Sequence, residues 1–411
     1  MNENELFRLA LGLAAPWQVK SLEFSAEKKR LDIRFDFPKG SQFPCPECGR
    51  LCGAYDTENR TWRHLNFFQH ETYLHARLPR VSCPDHKVKT VEAPWARPGA
   101  GFTLLFEALV MILAKNNMTP KAIGRLVGEH DTLIWRILEH YVEKARERVD
   151  MSEVHQVGMD ETSQAKGHEY VTTVMDLEER RILFATKGKD AETVKAFRED
   201  LEKHGGRAEQ VQEISMDMSP AFQKGAAAEF PQAQITFDPF HLMKLMNKAV
   251  DEVRREEQKE RPELKGSKYL GLKNEWNHTE RQKKQFQALR QLNLRTNKAH
   301  HLKGVFQDLY ACDPKEGEAL LKRWYYWATH SRMQPIIDFA KTIKRHWNGV
   351  VRWFQTKISN GLLEGMNSLI QAAKARSRGF RNPKYFITMI YLIGAKLKFQ
   401  LPEVLPATHT K

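Results

Sequence analysis

The succession of β-prone and helical segments after Glu153 constrains this chain more than any other feature. Three short runs, VHQVGMDE, YVTTVMDL and RILFATKG, follow one another with no helix between them. An amphipathic stretch, DAETVKAFREDLEKHG, comes next, then VQEISMDMS and AQITFDPF, each succeeded by a helical segment. Three consecutive strands followed by alternating helix and strand fit a mixed sheet with helices on its faces. Two strands are expected to end on aspartates, Asp160 and Asp217. A side chain at a strand end faces the crevice outside the sheet, where ligands collect in open α/β folds. If these strands are neighbours, the two carboxylates converge, and magnesium or manganese binds through one or two such groups.

A third acid stands out by its isolation. From Phe339 to Pro402 there are twelve Lys and Arg and a single acidic residue, Glu364. A surface that lies along a phosphate backbone excludes acids; a metal ligand is the exception, because its cation reverses the local electrostatic sense. Each acid also has a plain explanation. Asp217 could cap a helix opening at Pro220, Asp160 could close a turn, and Glu364 could be a surface glutamate. Taken together they point to a cation site in a basic surround that includes Lys374, Arg376, Arg378 and Arg381.

The whole chain agrees with that bias. Its 411 residues carry 65 Lys and Arg against 51 Asp and Glu, a formal charge of +14. So basic a protein favours a polyanionic partner, with nucleic acid ahead of a membrane surface. The longest apolar stretches, Leu104 to Ala114 and Tyr385 to Leu397, are too short or too interrupted to span a bilayer. Acids occupy the start, where an export signal needs positive charge, so a cytoplasmic protein is expected.

Towards the N-terminus, residues 17–37 alternate apolar and polar side chains, with Leu31, Ile33, Phe35 and Phe37 on one face, and read as a hairpin. Cys45-Pro-Glu-Cys48 and Cys83-Pro-Asp-His86 then give two ligand pairs with the spacing of a structural zinc knuckle. Cys52 is an alternate ligand, and a set of reduced cysteines without metal is the bland reading. The Pro-rich APWARPGAG reads as a linker. In MTPKAIGRLVGEHDTLIWRILEHYVEKA, Thr119 caps a helix with Pro120 at its first position, Gly128 makes the corner, and Asp131 or Thr132 starts a second helix. That spacing fits a helix-turn-helix, with Thr132, Trp135, Arg136 and His140 suited to DNA contacts; an ordinary helical hairpin fits equally. Residues 251–357 are helical, basic and rich in tryptophan, more in keeping with core than with base stacking.

Several of these segments resemble one family. CPECG, WRHLNFF, GMDETSQAKGHEYVTTVMDL, SMDMSPAF, FDPFHLMKLMNKAVDEVRR and SNGLLEGMNSLIQAAKARSRGFRN are similar to motifs of DDE-type insertion-sequence transposases of the ISL-three family, in the same order. The resemblance implies a multidomain α+β and α/β chain: an N-terminal hairpin and zinc-binding module (1–98), a helix-turn-helix (99–152), an RNase H-like mixed-sheet core (153–250), a long all-helical insertion (251–357) and a C-terminal catalytic helix region (358–411). It makes Asp160, Asp217 and Glu364 the catalytic triad, holding two magnesium or manganese ions. Glu161, Asp238, His241, Asn360 and Asn367 lie in the same motifs and are expected to act around the triad. His86 departs from the family pattern, which has cysteine there, so the fourth ligand of the single structural zinc stays open between His86 and Cys52.

The implied function is binding of an element's terminal inverted repeats and metal-dependent strand cleavage and strand transfer. The implied partners are transposon-end and target double-stranded DNA and further copies of the chain, as a dimer or higher oligomer, in the bacterial cytoplasm at the nucleoid. The alternatives are a non-catalytic DNA-binding regulator and an RNase H-like nuclease that cuts without joining.

Overall fold

A computed structural model describes residues 2–165, 167, 169–273, 277–292 and 294–403. The chain forms two compact units, one running up to Glu143 and including the segment from Lys398, the other spanning Lys144–Leu397. Among the described residues, no helix is long and apolar enough to cross a membrane.

The first unit opens with α1 (Glu3–Ala10), followed by β1 (Gln18–Ser25), β2 (Arg30–Asp36), β3 (Gln42–Pro44), β4 (Leu51–Phe67), β5 (His70–Cys83) and β6 (Lys87–Thr90). The sheet runs β1-β2-β5-β4-β3, with β6 beside β5. β1 and β2 are the hairpin that the alternation announces, and Leu31, Ile33 and Phe35 point into the core. Of the long antiparallel pair β4 and β5, β4 carries no such signal, because most of it is exposed on both faces and has no apolar period.

The APWARPGAG segment is not a loose linker. Trp95 packs edge-on against Trp17, Phe35 and Trp62, with ring centroids 4.9, 4.8 and 5.4 Å away. Ala93 and Ala96 are buried with it. The apolar side chains between its prolines bind it to the sheet, an outcome that Pro and Gly content alone cannot disclose.

Next come α2 (Leu104–Lys115), α3 (Pro120–Val127) and α4 (Asp131–Arg146). Thr119 Oγ1 accepts from the Ala122 amide at 3.2 Å, Pro120 opens α3, and Gly128 closes it in the left-handed region at φ 78°. The turn is so tight that a Cβ on Gly124 would lie 2.5 Å from the Glu129 carbonyl oxygen. Ile134, Trp135, Ile137 and Leu138 of α4 are buried.

The second unit holds β7 (Gln156–Ala165), β8 (Glu169–Asp176), β9 (Arg181–Lys187), α5 (Ala191–Lys203), β10 (Glu213–Met216), α6 (Pro220–Glu229), β11 (Gln234–Phe237) and α7 (Pro239–Glu257). There follow α8 (Lys268–Leu272), α9 (Glu280–Arg290), α10 (Arg295–Asp308), α11 (Pro314–Thr329), α12 (Gln334–Arg345), α13 (Trp347–Thr356), α14 (Gly361–Arg376) and α15 (Pro383–Gly394).

The sheet order is β11-β10-β7-β8-β9: β7, β8 and β9 form an antiparallel meander, while β10 runs parallel to β7 and β11 parallel to β10. β10 is buried along its whole length, as a central parallel strand must be. Phe197, Phe222, Phe230 and Phe237 pack around the sheet in one core with the helices from α10 to α13. Trp324 is fully buried there, its indole donating to the Leu302 carbonyl at 2.9 Å, and Trp347 and Trp353 are half-buried against it. Trp327 is about half exposed, and Trp276 lies outside the described residues.

Candidate active site and metal centres

In the first unit, the two knuckles bring four ligand atoms together. Cys45, Cys48, Cys83 and His86 offer Sγ and ring nitrogen atoms all within 4.8 Å of one another. Cys48 and Cys83 sulfurs are 3.7 Å apart, and His86 Nδ1 lies 3.6 Å from Cys83 and 3.9 Å from Cys45. Zinc–sulfur bonds of about 2.3 Å at tetrahedral angles place sulfurs roughly 3.8 Å apart, so the donor set fits a structural zinc. The His86 ring also draws the Cys83 thiol down to about 6, towards the thiolate that a metal needs. Cys52 stands outside this group, its thiol donating to the Arg50 carbonyl.

On α4, Thr132 and Arg136 are exposed one turn apart on the same side. Trp135 departs from the sequence expectation: it faces the core rather than a ligand. His140 is half-buried.

In the second unit, Asp160 does not end its strand. β7 continues to Ala165, and Asp160 is paired with Thr173 of β8 in the antiparallel meander. The pairing that does stop here is the one to β10, whose register joins Ser215 to Gly158. Two residues further along, Asp217 falls opposite Asp160, just past the end of β10. β11 repeats the relation, since Phe237 pairs with Met216 and the next residue is Asp238. Three aspartates therefore stand level on three neighbouring parallel strands, about 4.8 Å from one strand to the next.

The third aspartate is buried and committed. Asp238 Oδ1 accepts from the Asn360 amide at 3.0 Å, and its Oδ2 lies 3.3 Å from His241 Nδ1 and caps α7 through the His241 amide. Asp217 Oδ1 accepts from the Ser219 amide at 2.8 Å, closing the turn into α6.

α14 lies along β7 by one polar stripe. Asn360 donates to the Met159 carbonyl at 2.9 Å, Asn367 to Asp160 Oδ2 at 2.8 Å, and Gln371 to Thr162 Oγ1 at 2.7 Å. Lys374 completes the row on the Ser163 carbonyl at 2.5 Å. Glu364 occupies the same stripe, between Asn360 and Asn367, and is half-buried. The close approach at the head of the helix depends on Gly158, where a Cβ would meet Asn360 Oδ1 at 2.8 Å. Arg378 and Arg381 are exposed beyond the helix, and Arg376 is exposed at its end.

An open cleft is lined by Asp160, Glu161, Asp238, His241, Asn360, Glu364 and Asn367, with Lys244 and Gln371 at its sides. Asp217 is not among the lining residues but is felt there. Burial raises the Asp160 carboxyl above the usual range and the Asp217 charge adds to the rise, against the Glu161 amide, His241 and Asn367. Burial likewise raises Glu161. His241 is raised by its hydrogen bond to Asp238, with Asp160 and Asp217 contributing. Among the described residues only the Cys/His group has all its ligand atoms within 4.8 Å; Asp160 and Glu364 share the cleft wall, Asp217 stands outside it, and the expected convergence of the acids on one point is not seen.

Sequence reasoning missed Gln371 and Thr162. The spacing Asn360, Glu364, Asn367, Gln371, Lys374 is that of one helix face, and in retrospect it is the available signal.

A DDE transposase model of the ISL3 group matches residues 157–390. A helix-turn-helix domain of transposase family ISL3 matches residues 91–142, and the zinc-finger of the IS204/IS1001/IS1096/IS1165 transposases matches residues 41–86. The chain belongs to the ISL3 family of DDE transposases. It is 28% identical to the transposase for insertion sequence element IS1557 of Mycobacterium tuberculosis, over 98% of each chain. It is 27% identical to the transposase for insertion sequence element IS1001 of Bordetella parapertussis, over 91% of this chain and 95% of that one.

Proposed function

We propose that this transposase binds the terminal inverted repeats of an insertion sequence and cleaves and joins DNA strands through Asp160, Asp217 and Glu364. The observation that carries the reading is the alignment of Asp217 with Asp160 across adjacent parallel strands, together with the α14 stripe that lays Glu364 along the same strand. The sheet, a three-stranded meander extended by two parallel strands with helices between them, supports an RNase H-like core, and α8 to α13 then constitute the helical insertion between β11 and the glutamate helix.

The donor set suits magnesium or manganese: hard carboxylate oxygens, one of them held at a buried position that disfavours its charge unless a cation is near. Bound divalent ions would neutralise charge at the scissile phosphate and activate water or a 3′-hydroxyl for in-line attack. The chain's own groups supply orientation. The Glu161 amide, at 2.8 Å from Oδ1, and the Asn367 amide on Oδ2 fix the Asp160 carboxylate. Asp238 ties the head of α14 to that of α7, so Glu364 is aimed by a residue on the next strand but one. His241 is oriented by Asp238 and stands at the wall where phosphate oxygens would collect. Asn360 acts through the β7 backbone rather than on phosphate, since it is buried.

The zinc-bearing sheet and helix-turn-helix would read the element's ends, with Thr132 and Arg136 facing DNA and Arg376, Arg378 and Arg381 placed for phosphates. Two ends must meet for transposition, so the reading includes a dimer or higher assembly on DNA, at the nucleoid. Incubation with labelled element-end duplex and magnesium or manganese tests it, with cleaved and joined products expected. Binding without cleavage would instead make the chain a regulator, and cleavage without joining a nuclease.

A further inference from the structure

A second groove lies beside the catalytic cleft, at the edge of the same sheet. It is formed by β11 and the corner between α12 and α13, and is lined by Lys344, Arg345, His346, Trp347 and Arg352 against Ile235 and Phe237. No carboxylate is among its lining residues.

Its cations differ in how far they are committed. Arg352 pairs with the buried Glu213 of β10. Lys344 and Arg345 are exposed; among the described contacts, Lys344 has only the Trp347 ring 4.9 Å away and Arg345 only the Thr342 hydroxyl at 3.1 Å. Burial keeps His346 below its ordinary value, so it offers a hydrogen bond rather than a charge.

The position of the groove gives these cations a role. Phe237 lines it, and the next residue, Asp238, lines the catalytic cleft. The four residues of β11 span about 13 Å, and phosphates recur along one DNA strand every 3.4 Å or so of helix axis. A strand seated with one phosphate in the cleft carries its next few phosphates across this distance.

We propose that Lys344 and Arg345 form a backbone clamp that holds the substrate DNA a few nucleotides from the scissile phosphate. This rests on the reading of the cleft as the cleavage site, and it accounts for a groove lined by cations with no carboxylate among them. The start of α13 packs closely on β11: a Cβ on Gly349 would lie 2.5 Å from the Phe237 ring. The backbone that carries the two cations therefore lies against the strand that leads into the cleft.

The test is a salt titration of the full-length protein with a duplex of arbitrary sequence, since phosphate contacts do not depend on sequence. The probe is the duplex itself, measured by anisotropy from about 50 to 200 mM salt. The double substitution Lys344→Gln/Arg345→Gln should reduce the slope of log K against log salt by about 2, so that the affinity lost over that fourfold range becomes about sixteenfold smaller than in the wild type. Each single substitution should remove about half of that change in slope. An unchanged slope in the double variant, with its unfolding profile intact, overturns the clamp. Failure of the cleavage reading would look different: the slopes would change as stated while no metal-dependent product formed in the wild type.

Discussion

Asn367 of α14 donates its side-chain amide to Asp160 Oδ2 of β7 at 2.8 Å, across 207 residues of sequence. This bond fixes the orientation of the carboxylate and the lateral position of the helix that carries Glu364. Replacing a residue that orients a metal ligand typically costs about 10- to 100-fold in metal affinity or activity. Asn367→Ala should therefore lower metal-dependent cleavage by about that factor and raise the magnesium concentration needed for half-maximal rate, with duplex affinity unchanged. A rate within twofold of the wild type would show that the bond is incidental.

Gly158 tests the same truss from the other side. In Gly158→Ala the new Cβ meets Asn360 Oδ1 at 2.8 Å and a Leu177 methyl at 3.0 Å. Overpacking of this kind costs about 1–3 kcal/mol, and Asn360 must move to relieve it. The expected outcome is a lower unfolding midpoint together with a loss of cleavage larger than the stability change explains, read by thermal denaturation and single-turnover rates.

The zinc set makes a discriminating prediction. The purified protein should carry about one zinc per chain, and Cys52→Ala should keep it, whereas His86→Ala should lose it. Elemental analysis of the two variants decides between the ligands. Zinc retained in His86→Ala but absent in Cys52→Ala would reverse the assignment.

His64 supplies a pH dependence. Burial, aided by the neighbouring Arg63 charge, holds its ring down to about 4, and its Nδ1 is 2.9 Å from Thr103 Oγ1. The folded value lies below the unfolded one of about 6.5, so the neutral ring favours the fold. Its contribution is complete above about pH 6.5, falls as pH drops through the interval to about 4, and is gone below that; the full effect is about 3 kcal/mol. His64→Gln should flatten the stability of the first unit across this window, as measured by denaturant titration at several pH values.

What the sequence discloses here is local chemistry. The helix-turn-helix boundaries follow from Thr119, Pro120 and Gly128, each of which acts within a few residues of itself. The short parallel strands β10 and β11 are legible because each is a brief β-prone run between two helical segments, and β10 is buried along its whole length. By contrast, β4 exposes Tyr55, Glu58, Asn59 and Arg60 and has no periodicity to read. Asp160 looks like a strand end because the polar run Glu161–Gln164 breaks the apolar pattern after it, although β7 continues through that run as a hairpin with β8. Trp95 turns a Pro-rich stretch into part of the core through contacts with residues far away in sequence. The polar stripe of α14 was written in the chain, but only the strand opposite it shows what Asn360, Asn367 and Gln371 are for.

The central claim is that Asp160, Asp217 and Glu364 act on one phosphodiester. The most direct measurement is cleavage and joining of labelled element-end DNA in magnesium or manganese by Asp160→Asn, Asp217→Asn and Glu364→Gln, with DNA affinity measured in parallel. Each variant should bind like the wild type and yield no cleaved or joined product; near-normal joining by any one of them would contradict the account.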